Sequence, residues 1–351
     1  MRAVVLRGKG DVVLTEVPTP SPGPGEVLLR VAANTVCGTD VRLLRGEKDA
    51  RPGVVLGHEA AGVVAEVGDG VTAVEAGDLV AVLPTISCGS CFYCRRDLEH
   101  HCEQARLFGY QVDGGLAEYQ LVPADAVARG NLVPAPSGMD PAHLALAEPL
   151  ACVLNGLREY TVELGDTVLV MGAGPIGLLH LQVALLRGAR HVVVTNRSAE
   201  RRQVALDMGA TLALDPATDD LDAELRALTD GRGADVAVIS IGAPELFNEA
   251  SRLVRVGGRV SAFAGFPKGG TAVIDPNDIH YGQLTVTGGS NCRRSDYHEA
   301  VGLLASGAVD GSRYVTHRFD LDHALDAVEL TAQRGGLKVA VVPGGTTAAA
   351  T

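Results

Sequence analysis

Cys37, His58 and Glu59 offer a thiol, an imidazole and a carboxylate, the ligand types that zinc selects. His58 and Glu59 follow Gly57, and His58 lies twenty-one residues after the cysteine. Three protein ligands leave a fourth position for water or substrate, so the set points to a catalytic metal centre. Each residue alone carries little weight. A lone cysteine is commonly a small buried hydrophobe, and a His-Glu pair commonly lies at the surface.

A second cluster is more specific. Cys88, Cys91, Cys94 and Cys102 follow the pattern C-x2-C-x2-C-x7-C. Four thiolates fill a tetrahedral zinc shell and leave nothing for substrate, which makes this a structural site. An iron-sulfur cluster is the alternative, disfavoured because the run lacks the usual Cys-Pro ending.

The third signal is Gly172-Ala173-Gly174-Pro175-Ile176-Gly177, set between the apolar run 168–171 and a helical pattern over 178–187. In that context G-x-G-x-x-G reads as a dinucleotide turn. Gly172 permits the tight turn, Gly174 lets the backbone approach a pyrophosphate, and Gly177 lets helix pack on strand, with Pro175 and Ile176 between them. The next strand, 191–195, ends in Asn196-Arg197-Ser198 with no acid for the ribose hydroxyls, while Arg197, Arg201 and Arg202 are close by. This composition favours NADP over NAD, the alternative being Asn196 serving NAD.

The elements that must position these residues change character along the chain. Strand-like runs occupy 3–6, 12–14, 27–31 and 62–67, and the proline-rich stretch 18–24 excludes a helix there. His58 and Glu59 thus stand at the entrance of a strand. Residues 79–82 predict a further strand and 114–122 a return strand. Helix begins after Asp140-Pro141, an N-cap followed by proline at the first helical position. Beyond it, apolar runs at 168–171, 191–195, 234–240, 257–263 and 284–288 alternate with helical patterns, as in a doubly wound parallel sheet. Helices are expected over 296–304 and 322–330, and a frayed tail over 344–351.

Length and composition bound the rest. A chain of 351 residues exceeds what one core comfortably supports and predicts two domains. Hydrophobic content of 46%, with 21% charged residues, fits an ordinary globular protein with no membrane span. The N-terminal apolar run is too short for a signal peptide, so a cytoplasmic location is expected. A net charge of −12 and the absence of tryptophan argue against nucleic-acid binding.

Taken in order, Cys37-Gly38-Thr39-Asp40, Gly57-His58-Glu59, the four-cysteine lobe, Glu148-Pro149 and the Gly172–Gly177 turn resemble the zinc-dependent medium-chain dehydrogenase/reductase superfamily over nearly the whole chain. Residues 147–152 and 279–281 look more like its polyol (sorbitol) and threonine dehydrogenase branch than the simple alcohol dehydrogenases. The resemblance implies an α/β protein with a GroES-like, β-rich catalytic domain (1–148 and 291–351, structural lobe 88–102) and a Rossmann NAD(P)-binding domain (149–290). It implies two zinc ions per chain. Cys37 and His58 would bind the catalytic one, Glu59 and Glu148 would be alternating or water-mediated ligands, and Thr39 would take the substrate's hydroxyl proton. The implied activity is oxidation of a secondary hydroxyl in a polyol, sugar, cyclitol or amino alcohol, or the reverse reduction, with zinc acidifying the hydroxyl and hydride passing to nicotinamide. An amino sugar or aminocyclitol is the alternative substrate, and a non-catalytic nucleotide sensor the alternative class. A homo-oligomer, dimer or tetramer, is expected, with residues 284–287 as an edge strand pairing across a two-fold axis. One position departs from the family pattern: Arg42 stands where many members carry a relay histidine. A guanidinium cannot accept a proton, so the relay ends in water or cofactor hydroxyls, Arg42 binds an anionic group, or it simply faces solvent.

Overall fold

A computed structural model describes residues 1–345; most of the expected tail, residues 346–351, lies outside them. The chain divides into two compact units, Met1–Ala151 with the chain from Arg293 onward, and Cys152–Cys292. The divisions at 151/152 and 292/293 compare with expected boundaries at 148/149 and 290/291. Among the described residues no helix is long and apolar enough to cross a membrane.

In the first unit the longest strand, Val27–Thr35, is the axis. Ala60–Val67 pairs with it antiparallel on one side; on the other, Tyr119–Val122 pairs with its first half and Lys338–Val341 with its last residues. Leu79–Val82, Leu132–Pro134 and Val315–Phe319 complete a seven-stranded sheet. A smaller sheet joins Asp11–Glu16, Arg2–Gly8 and Val54–Val55. The predicted return strand is shorter than expected, because residues 114–116 do not alternate in a ladder. Their amides bond to the carbonyls of Val55, Gly57 and Leu56. That close approach requires glycine. A Cβ on Gly57, whose φ is +94°, would strike Asn34 and Leu116, and one on Gly114 would enter the Gly57 carbonyl. The segment just before His58 is therefore pinned mainly by backbone contacts, with the Asp113 carboxylate also accepting from the Val55 amide at 3.1 Å.

The second unit is a six-stranded sheet, all parallel, ordered Leu212–Leu214, His191–Thr195, Thr167–Met171, Ala234–Ile239, Val254–Ala262, Thr285–Gly288. Numbered along the chain the order is 3-2-1-4-5-6, that of a doubly wound dinucleotide fold, as expected. Thr167–Met171 is buried along its whole length, which explains its unbroken apolar run. The helix after it starts at Pro175, earlier than the expected Leu178, because proline's fixed φ suits the first helical turn.

Within this unit Tyr160 and His180 form an isolated polar pair. The Tyr160 hydroxyl lies 2.8 Å from His180 Nδ1, and the ring of Phe263 meets the imidazole edge-on at 4.4 Å between centroids. Burial pushes His180 down to about 3 and the Tyr160 phenol up, so both stay neutral. Between pH 6.5 and 3 the unfolded imidazole binds a proton that the folded one refuses. This group therefore removes stability as the pH falls through 6.5, by up to about 1.4 kcal/mol per pH unit. Urea unfolding at pH 7 and pH 5 should show His180→Gln losing about 2 kcal/mol less than the native protein over that interval; equal losses would contradict the assignment.

Candidate functional site

Cys37 ends the long central strand's path and caps the helix Gly38–Leu44. Its amide donates to Asp40 Oδ2 at 2.8 Å, closing the first turn in a capping-box arrangement. His58 and Glu59, immediately before the strand Ala60–Val67, come up beside it. One donor atom from each of Cys37, His58 and Glu59 lies within 4.8 Å of the others. Glu148, in the first turn of the helix Ala147–Tyr160, is half-buried and outside that group of three, though its charge reaches the same neighbourhood. Thr39 is half-buried on the first turn after Cys37.

Two further residues complete the environment. Asp40, 1% exposed, presents Oδ1 to His58 Nδ1 at 3.6 Å. Lys338, on the C-terminal strand, reaches the fully buried Glu59, with Nζ at 2.6 Å from Oε1 and also bonded to Oε2; the Thr35 hydroxyl donates to Oε2 as well. Burial opposes charge on Lys338, yet Glu59, Cys37 and Glu148 together hold its pKa above the ordinary lysine value. Burial likewise opposes charge on His58, and Asp40 with Cys37 drives it well above the usual imidazole range. Both shifts report a negative environment. Carboxyl groups and a thiol surround one ammonium, and a donor set of that composition suits a divalent cation.

The second cluster is built differently. Cys88, Cys91, Cys94 and Cys102 bring their sulfurs within 4.8 Å of one another, and none is in a disulfide. The Cys88–Cys94 separation is 3.9 Å. A tetrahedron with zinc-sulfur arms of about 2.3 Å has edges of about 3.8 Å, so the spacing fits. Backbone amides point at the sulfurs: Ser90 and Cys91 donate to Cys88 Sγ, Cys88 and Gln104 to Cys102 Sγ. These bonds lower Cys88 to about 6, and amides of Cys94 and Glu103 lower Cys91. Cys94 goes the other way, to about 12, through burial and its thiol neighbours. Donors that favour thiolates, set against a fourth thiol that resists ionising beside the others, are what a bound cation would reconcile.

At the glycine turn, Gly172 has φ +118°, and a Cβ on it would meet Ile241. A Cβ on Gly177 would enter the Gly172 carbonyl. Gly174 caps the helix Pro175–Leu186 in extended conformation, and Pro175 and Ile176 are half-buried. The three arginines separate. Arg202 is committed to Asp215 at 2.9 Å and to the carbonyls of Asn196 and Arg197. Arg201 leans over the turn, its Nη1 3.7 Å from where a Gly174 Cβ would stand, and Arg197 is exposed. The Asn196 carboxamide accepts from the Ser198 amide at 2.9 Å and so shapes the loop.

Sequence reasoning assigned no role to Lys338, Asp40 or Thr35. Lys338 did leave a signal, being a charge within the otherwise apolar Lys338–Val341 strand, and Asp40 stands three residues after Cys37, where a capping-box acid belongs.

Comparison with known proteins places this geometry. Residues 23–135 match the model of the alcohol dehydrogenase GroES-like domain, and residues 175–306 that of the zinc-binding dehydrogenases. The chain is 37% identical to L-threonine 3-dehydrogenase of Pyrococcus furiosus, over 90% of this chain and 91% of that protein. It is 33% identical to L-galactonate-5-dehydrogenase of Escherichia coli K12, over 91% and 92%. A zinc-binding dehydrogenase structure from Sinorhizobium meliloti 1021, bound to NADP, superposes with a TM-score of 0.91 at 37% identity, covering 97% of this chain and 99% of that one. With a GroES-like domain, a Rossmann domain and relatives that are named dehydrogenases, the chain belongs to the zinc-dependent medium-chain dehydrogenase/reductase superfamily, whose members act on hydroxyl groups.

Proposed function

We propose that this dehydrogenase oxidises a secondary hydroxyl of a polyol, sugar, cyclitol or amino alcohol to a ketone with NADP, or runs the reverse reduction. The observation that carries the reading is the convergence of Cys37, His58 and Glu59 in a negative environment, on a chain whose relatives are L-threonine and L-galactonate dehydrogenases. Cys37 and His58 would hold the catalytic zinc, with Glu59 and Glu148 as the carboxylates available to it. When bound, the metal supplies Lewis acidity that lowers the pKa of a hydroxyl. Asp40 places a buried carboxylate beside His58 Nδ1 at 3.6 Å. Lys338 and Thr35 anchor Glu59 from behind. Thr39 would take the hydroxyl proton and pass it to solvent, and a bound nicotinamide would supply the acceptor for the carbinol hydrogen as hydride. One carbinol and one oxidised cofactor give one ketone, one reduced cofactor and one proton. Arg42 takes no part in that path: it is exposed, with Nε 4.0 Å from Glu47. Cys88, Cys91, Cys94 and Cys102 hold a second, structural zinc. The protein works in the cytoplasm as a dimer or tetramer, pairing along the exposed edge strand Thr285–Gly288.

Metal content measured by plasma mass spectrometry tests the two sites separately from activity. The native protein should carry about two zinc ions per chain by this donor bookkeeping. Cys37→Ser should retain one and lose turnover, and Cys91→Ser should lose the other along with thermal stability. Normal turnover in Cys37→Ser would sink the mechanism.

Arg201 and Arg197 carry the cofactor preference. Arg201→Ala should weaken NADPH binding about tenfold, the scale of one charged hydrogen bond, while NADH binding changes far less. A native protein that binds NADH more tightly than NADPH would refute the NADP assignment.

Light scattering should return a multiple of the 36.3 kDa chain mass. A monomer at micromolar concentration would remove the edge-strand pairing.

A further inference from the structure

Residues 45–53, between the helix Gly38–Leu44 and the strand Val54–Val55, are tied down along their length. The Arg51 amide donates to the Tyr110 carbonyl at 2.9 Å, Arg51 Nε to the Gln111 carbonyl at 3.2 Å, and Arg51 Nη2 to Asp113 at 3.0 Å. Within this loop Lys48 is placed with care. Its Nζ donates to the Tyr110 hydroxyl at 2.9 Å and lies 4.7 Å from the centre of the same ring. That ring is 7% exposed and packs against the imidazole of His58 at 5.9 Å between centroids. A single aromatic ring thus separates an ammonium from a residue of the metal cluster. Arg42 lies 4.0 Å from Glu47 and Arg51 pairs with Asp113, whereas Lys48 has no carboxylate in ion-pair range among the described residues and is placed by Tyr110.

We infer that Lys48, oriented by Tyr110, anchors an anionic group, a carboxylate or a phosphate, of a substrate whose carbinol reaches the Cys37–His58 centre. The inference rests on the dehydrogenase reading and narrows it to hydroxy acids and phosphorylated polyols. An ammonium held by a phenol and a ring face keeps donors for a ligand, and ring contact restricts the long side chain that would otherwise lose entropy on binding. Lys48 is a specificity residue, not a catalytic one.

The test compares L-galactonate and sorbitol 6-phosphate with galactitol and sorbitol, using NADP and NAD. In the native protein at least one anionic member should exceed its neutral partner in kcat/KM, and the pair that shows this identifies the anion. In Lys48→Gln that preference should fall at least tenfold, carried by KM, and Lys48→Arg should restore most of it. A native preference for the neutral partners, or a ratio unmoved by Lys48→Gln, overturns the inference while leaving the dehydrogenase intact. If none of the four alcohols turns over, the proposed function loses its support. The anion site is then read by calorimetric titration of galactonate into the NADP-loaded protein. Binding lost in Lys48→Gln and kept in Lys48→Arg sustains the site, and equal or absent binding in the native protein and Lys48→Gln ends it.

Discussion

The contact between Lys338 and Glu59 is the constraint around which the metal-binding half of the first unit is arranged. Both side chains are withdrawn from water, Lys338 at 5% exposure and Glu59 at 0%. Burying either charge alone would cost several kcal/mol, and removing one partner from such a pair is strongly destabilising because the other remains uncompensated. The pair therefore cannot form halfway. Lys338 also donates to the Val36 carbonyl at 3.2 Å, and the strand it begins pairs Ala340 with Thr35 and Val341 with Asn34. The last strand of the chain is thereby locked to the segment that leads into Cys37. Residues nearly three hundred positions apart in sequence must both be in place before Glu59 has its final orientation.

The two clusters balance charge by opposite means. At Cys37, His58 and Glu59 the negative groups are offset in part by one lysine, and Asp40 lies 3.6 Å from His58 Nδ1. The charges there are balanced chiefly by side chains. In the four-cysteine lobe the compensating groups are backbone amides, which cannot move without unfolding the turn. Backbone donors fix a cluster's geometry more firmly than side-chain donors, which can change rotamer. Asn131 ties the lobe's root down by donating to the Leu83 and Thr85 carbonyls at 2.8 Å each.

Local signals made most of this architecture legible. A wholly apolar run before G-x-G-x-x-G, proline after Asp140 and four closely spaced cysteines each act within a few residues, and each yields the element it announces. What escaped were features that depend on distant pairing. Lys338 is recognisable only once its strand is laid beside Val27–Thr35. Residues 114–116 read as strand because their composition allows it, yet their amides are spent on the carbonyls of residues 55–57. The arginines after the second Rossmann strand looked equivalent as a group, and only the position of Asp215 separates Arg202, held in the loop, from Arg201 beside the glycine turn. Periodicity sees a face, not the partner that will cover it.

Rigid and adjustable parts of the first unit are divided along the same line. Cys37 sits at the junction of the central strand and a capped helix, and His58 and Glu59 are pinned by glycine-permitted backbone contacts, so the chemistry is carried by elements with little freedom. The loop 45–53 carries no sheet ladder of its own. Its order comes from side-chain and single backbone bonds to the turn at residues 107–113, centred on Arg51 and Tyr110. The loop makes no hydrogen bond to Cys37, His58 or Glu59, and its link to that cluster runs through the Tyr110 ring that packs on His58. Relatives sharing this architecture carry the names of L-threonine and L-galactonate dehydrogenases, so one fold accommodates different substrates, and surface loops on a rigid scaffold are where such differences are commonly placed.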